Sequence, residues 1–300
     1  MSVPTSSEER EALARSRAAA QGRIRWELLS QLVRKDLKVK YQGSALGFVW
    51  SLANPLFLLG IYYVIFSYVF RNGIPDYHVY LMAGLLAFTA FSSGVSGAST
   101  SVVGNAGLVK KVRFPRLVLP LSGVGFSLVQ LALQLPVLFG IALVSGIWFI
   151  GLPFLLIVPA LALLVLLTTA LGTLAAALNV RYRDTSHFVE IAMLVWFWLN
   201  PILYPAGFVK REFESRGFDL GYDLYFLLNP MATVVSTFQR AVYQQPFYTD
   251  PAGDLQQLLA DPGYLFYARN LAVGFLIAGA LLWFARRTFD RLQADFADDL

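Results

Sequence analysis

The chain has 300 residues, 57% of them hydrophobic and 14% charged, with a formal net charge of +5 and a mean hydropathy of +0.57. Soluble domains carry about 25% charged residues, and the apolar residues here come in runs near or above the roughly 20 that span a bilayer, so the chain reads as a polytopic membrane protein. Its cations cluster at the ends of apolar spans, which argues against a nucleic-acid surface, and the lack of cysteine excludes disulfides and thiolate chemistry.

Residues 1–22, rich in Ser, Glu, Arg and Ala, lack the apolar segment of a signal peptide and read as a disordered or fraying polar tail. Over 23–41 the pattern changes. Ile24, Leu28, Leu29, Leu32, Val33 and Leu37 recur at helical spacing, while Arg23, Arg25, Arg34, Lys35, Lys38 and Lys40 fill much of the other face, with Trp26 near the start. A basic amphipathic helix with an aromatic residue suits a membrane interface. A soluble surface helix is the plainer alternative, but the apolar span directly after it favours the interface.

The expected fold is all-α, with six transmembrane helices between residues 52 and 285. The spans run at about Leu52–Phe70, Tyr80–Val103, Leu117–Ile147, Leu152–Asn179, Phe188–Tyr204 and Leu271–Ala285. The third contains Pro120 and Pro136, which membrane helices tolerate as kinks. The short gap from Gly146 to Pro153 makes spans three and four a tight hairpin. Between spans two and three, the loop 104–118 carries Lys110, Lys111, Arg113 and Arg116 around a rigid Phe114-Pro115 step. The segment 205–269 is too long for a turn. Its apolar stretch Met231–Phe238 is too short to cross and predicts a re-entrant or interfacial helix. Residues 286–300 form a C-terminal tail.

Orientation follows from the basic residues. With both termini inside, 18 Lys and Arg side chains face the cytoplasm and six face outward: Arg71, Lys210, Arg211, Arg216, Arg240 and Arg269. The opposite orientation reverses that bias.

Catalytic patterns are missing. No G-x-x-x-x-G-K-[ST] phosphate loop occurs, so the chain is not expected to hydrolyse ATP. Gly123-x-Gly125 lies inside an apolar span rather than after a strand. His187 and Glu190 share a helix face but need further ligands to hold a metal, and no metal site is expected. Asp219, Asp223, Asp250, Asp254 and Asp261 could serve a glycosyl transferase or a cation, yet they have no recognisable spacing and read as solvated loop charges. No ionisable residue falls near the midplane of a span, where coupled transporters place them; transport would need energy from a partner.

Two further features invite a functional reading. The dense small residues of span two, from Ser92 to Ser101, permit close helix packing or could line a polar conduit. Aromatics crowd the outer half, and Tyr62, Tyr63 and Phe66 in span one are candidates for stacking on sugar rings. An ordinary interfacial belt is the alternative.

Taken in order, the landmarks resemble a known family. They are Leu32-Val33-Arg34-Lys35-Asp36-Leu37-Lys38-Val39-Lys40-Tyr41, then Gly43-Ser44, Leu46-Gly47, Trp50 and Asn54-Pro55. Lys111-Val112, Phe114-Pro115-Arg116 and Leu119-Pro120-Leu121-Ser122 follow, then Asn179-Val180-Arg181-Tyr182-Arg183-Asp184, Asn200-Pro201-Ile202, Tyr204-Pro205 and Leu228-Asn229-Pro230. This series resembles the ABC-2 type permeases that export O-antigen, teichoic acid and capsule polysaccharides.

The resemblance implies a six-span permease of the bacterial cytoplasmic membrane. It implies a homodimer completed by two cytoplasmic ATPase subunits, which would hold the ATP and magnesium. The implied cargo is a polysaccharide on a polyprenyl diphosphate lipid. Lys110, Lys111, Arg113, Phe114, Pro115 and Arg116 would couple the permease to its ATPase, and Arg34, Lys35, Lys38 and Lys40 would meet the lipid diphosphate. The alternatives are an ABC-2 exporter of drugs or small lipids, and a multispan lipid-modifying glycosyltransferase.

Overall fold

The computed structural model describes residues 26–44, 49–112, 114–218 and 220–300. The polar tail 1–22, Arg23, Ile24 and Arg25, Leu46-Gly47, Arg113 and Asp219 lie outside the described residues. The fold is an all-α polytopic membrane fold. In chain order the helices are α1 (26–41), α2 (Val49–Tyr63), α3 (Tyr77–Gly104), α4 (Ala106–Lys111), α5 (Val118–Val144), α6 (Ile157–Arg181), α7 (Thr185–Trp198), α8 (Ala206–Ser215), α9 (Leu220–Leu228), α10 (Pro230–Val242), α11 (Tyr264–Leu292) and α12 (Phe296–Asp299).

Among the described residues, five helical segments are long and apolar enough to cross a membrane: Val49–Val69, Tyr77–Gly104, Val118–Val144, Leu152–Arg181 and Tyr264–Leu292. They realise five of the six expected spans. In α5, Pro120 occupies the first turn, where its missing N–H costs nothing, and the helix continues through Pro136. The expected 146–153 hairpin is present, with Gly146 turning at φ +77°.

The remaining expected span, Phe188–Tyr204, is not one continuous helix. Helix α7 has 14 residues, about 21 Å at roughly 1.5 Å per residue, short of a hydrocarbon core of about 30 Å. Beyond it the chain is irregular, because Pro201 lacks the N–H that would continue the helix. Non-helical backbone survives at membrane depth only where the protein satisfies it, and buried side chains do so here. Tyr77 Oη donates to Leu203 O at 2.6 Å, Tyr80 Oη to Pro201 O at 3.1 Å and Tyr204 O at 3.0 Å, and Gln239 Nε2 to Pro201 O at 2.9 Å.

Helix α3 is the axis of the bundle. In its most apolar stretch 78% of residues are buried, against 17–39% in the other four candidate spans. It packs against α2, α5, α6, α7 and α10, and α11 packs on α6 and α10. Lipid tails are as apolar as side chains, so close packing must hold such helices together. The small residues provide it. A methyl on Gly123 would lie 2.6 Å from Ala98 N, one on Gly94 2.6 Å from Ser127 Oγ, and one on Gly172 2.7 Å from Ala98 Cβ.

The expected re-entrant or interfacial helix is α10, whose 13 residues are all buried. Helices α9 and α10 form a hairpin with Asn229-Pro230 at its tip. The tip reaches Trp196, whose ring lies 5.3 Å from that of Phe91, near the middle of α3. From there α10 returns to Tyr243, which donates to Pro75 O at 2.6 Å beside the start of α3. The hairpin therefore reaches the middle of α3 and returns toward its start. Two short antiparallel strands, β1 (Phe247–Thr249) and β2 (Leu255–Gln257), follow.

At the basic end, α11 extends past the expected limit at 285 to Leu292. Helix α12 then folds back onto α4 and α6, burying Phe296 in a cluster with Leu32, Val109, Leu119 and Phe289. The C-terminal segment is thus docked on the bundle.

Candidate functional site

Three features carry the functional candidates: the basic loop, the cations of α1 and a groove in the bundle wall.

The loop 110–116 is two-faced. Lys110, Lys111, Val112 and Pro115 are exposed. Phe114 is half-buried and packs on the cluster beneath α12. Arg116 is also turned inward, donating to the carbonyl of Gln293 and lying 6.0 Å over the Phe296 ring. Arg183, in the 181–184 turn, donates to Asp299 O at 3.3 Å. The outward residues form a cationic edge on a short helix and a proline. The inward residues join that edge to α11 and α12.

The α1 cations are exposed but do not converge. Lys35 donates to Asn105 Oδ1 at the α3–α4 junction at 2.9 Å and pairs with Asp36 at 3.2 Å. Lys40 lies 5.2 Å over the Phe126 ring of α5. Arg34 borders a cavity against α5 and α6. Lys38 points outward.

The groove, about 390 Å³, lies between α2, α3 and α7. Ser92, Ser93, Ser96 and Thr89 line one wall, while Tyr62 and Phe197 stack at 6.0 Å and 25° on the other side. The small residues of span two therefore divide between two faces of α3. Gly94, Ala98 and Ser99 pack inward, and Ser92, Ser93 and Ser96 line the groove. Of the three aromatic candidates, Tyr62 alone lines it. Tyr63 sets its ring edge-on to His78 at 5.6 Å, and Phe66 leans on Tyr77 at 6.3 Å, so both brace the start of α3.

Glu190 also lines the groove, near the basic end of α7, with His187 Nδ1 3.8 Å from its carboxylate and both side chains largely exposed. Among the described residues no three His, Cys, Asp or Glu side chains come together as metal ligands. Sequence reasoning missed Glu190 as a groove residue, because face assignment required knowing which side of α7 meets α3. It also missed the meeting of Asn200 with Asn229 at the hairpin tip, although their shared Asn-Pro sequence was a visible signal.

A bundle of apolar helices with a buried helical hairpin, a cationic loop at one end and a hydroxyl- and aromatic-lined groove fits a multi-pass membrane permease. The chain belongs to the ABC-2 type transporter family, whose model matches residues 27–215. It is 32% identical over 274 residues to the "O-antigen export system permease protein RfbA" of Myxococcus xanthus, covering 91% of this chain and 95% of that one. A protein of the same designation from Klebsiella pneumoniae is 34% identical over 194 residues, covering 63% and 73%. The "Polysialic acid transport protein KpsM" of Escherichia coli is 23% identical over 217 residues, covering 70% and 79%.

Proposed function

We propose that this chain is the membrane-spanning permease subunit of an ABC transporter that exports a cell-envelope polysaccharide carried on a polyprenyl diphosphate. O-antigen is the first candidate cargo, and teichoic acid and capsule glycans are of the same kind. The carrying observation is the groove. Serine and threonine hydroxyls face stacked aromatic rings there, which suits a polymer offering hydroxyls and apolar C–H faces in turn. The groove is open on one side. A second copy would close it into a conduit, and two-fold pairs are the commonest symmetric assembly.

The chain works in the inner membrane with both termini and the 110–116 loop in the cytoplasm, a reading supported by the bias of 18 cations against six. Two copies of a separate ATPase seat against Lys110, Lys111 and Pro115. Phe114 and Arg116 carry the resulting motion inward to α11 and α12. The chain itself is not an enzyme; its energy comes from ATP and magnesium on the partner. The re-entrant α9–α10 hairpin borders the outward half of the path.

Deletion of the corresponding permease gene followed by complementation tests this. The chain should restore surface glycan and clear the lipid-linked glycan held inside. Restored efflux of small lipids without surface glycan would refute the reading.

A further inference from the structure

Two cavities adjoin at the basic end, on the side of the bundle away from the groove. The first, about 440 Å³, is lined by Arg116, Arg286 and Asp290. The second, about 540 Å³, lies between α1, α5 and α6; Val33, Leu37, Leu128, Val129 and Val165 give it an apolar wall. Trp26, Leu29 and Leu121 line both, so the two compartments share a boundary.

The charge in the first compartment suits an anion. Asp290 lies 3.9 Å from Arg286, both side chains are more than half exposed, and Arg116 adds a further cation. Arg34 stands at the margin of the apolar compartment. Trp26, 70% exposed, lies at the boundary, as an amphipathic ring does at headgroup level. A charged compartment joined to an apolar one across a tryptophan matches one molecule with an anionic head and an acyl tail.

We propose that these cavities bind an anionic phospholipid of the adjacent leaflet as a resident ligand that fastens α1 to α5 and α6. A free phosphate would fill the first compartment and leave the second empty. The transported lipid is not the proposed occupant, because the site has no helix in common with the groove between α2, α3 and α7. Gly94 of α3, in close approach to Ser127 of α5 and Thr168 of α6, stands between them. The proposal does not depend on which polymer is carried.

Native mass spectrometry of the purified full chain, delipidated and then incubated with micelles containing phosphatidylglycerol or phosphatidylcholine, tests the site. Phosphatidylglycerol should be retained preferentially, and Arg286→Gln should weaken its retention about fivefold, the scale of one basic side chain at an anionic lipid surface. Val129→Trp, which fills the apolar compartment, should also reduce it, whereas Arg211→Gln at the opposite end should not. Phosphatidylglycerol brominated on its chain should quench fluorescence in the wild type more than in Trp26→Phe, a readout available should Val129→Trp fail to fold. Equal retention of the two lipids, retention unchanged by Arg286→Gln, or displacement by inorganic phosphate alone would overturn the proposal.

Discussion

Asn200 and Asn229, 29 positions apart and each followed by proline, meet at the tip of the α9–α10 hairpin, with Asn229 Nδ2 3.4 Å from Asn200 Oδ1. Asn229 is the more heavily used. Its Oδ1 accepts from Trp196 Nε1 at 3.0 Å and from Ala232 N at 3.2 Å, which caps α10. One side chain thus ties the end of α7 to the start of a fully buried helix. Replacement by alanine should cost about 1–3 kcal/mol, the range for losing a cap and leaving a buried donor unmet. Thermal unfolding in detergent should register that loss. Unchanged stability would mean that the tip is held by packing alone.

Packing at the α3–α5 contact gives a paired prediction within one helix. Gly123→Ala drives a methyl to 2.6 Å from Ala98 N, whereas a methyl on Gly140 meets nothing within 4 Å. The first should destabilise by about 1–3 kcal/mol through overpacking and lower membrane abundance. The second should leave abundance at the wild-type level, as measured by quantitative blotting.

The aromatic candidates of span one should separate. Tyr62→Ala removes a groove ring and should slow export at normal abundance. Tyr63→Ala and Phe66→Ala remove braces from the start of α3 and should lower abundance instead. Quantifying surface glycan per molecule of permease distinguishes the two classes, and a common phenotype for all three would remove Tyr62 from the path.

The turn between β1 and β2 has a pH signature. Backbone hydrogen bonding, led by the N–H of Asp254, holds the Asp250 carboxyl below its ordinary value, with Gln256 adding a side-chain bond. A group whose pKa is lowered by folding supports the fold above its unfolded value of 3.8 and loses that support as pH falls through the folded value. Amide exchange at Ala252 and Asp254 should therefore quicken, relative to neighbouring amides, only below the usual carboxylate range. Asp250→Asn should remove that dependence.

Much of this architecture is legible in the sequence because a bilayer demands long apolar runs. Five spans, the 146–153 hairpin and the short helix near Met231 follow from run length and turn residues alone. What was illegible depends on neighbours. The 188–204 run is apolar apart from Glu190 and Asn200, yet Asn200-Pro201 ends its helix, and the hydroxyls of Tyr77 and Tyr80, over a hundred positions earlier, together with the Gln239 amide make the irregular backbone tolerable. The cations of α1 look like one cluster in sequence, but Asn105 and Phe126 draw Lys35 and Lys40 to different partners. The small residues of span two were ambiguous because they divide between faces of α3, one packed inward and one lining the groove.

Reconstitution of the chain with its ATPase in proteoliposomes loaded with lipid-linked glycan tests the central claim most directly. Translocation should require both proteins and ATP. Lys110→Glu with Lys111→Glu, both exposed, should abolish it while leaving the permease folded. Polymer movement driven by a proton gradient without the ATPase, or ATP turnover by the isolated chain, would contradict the account.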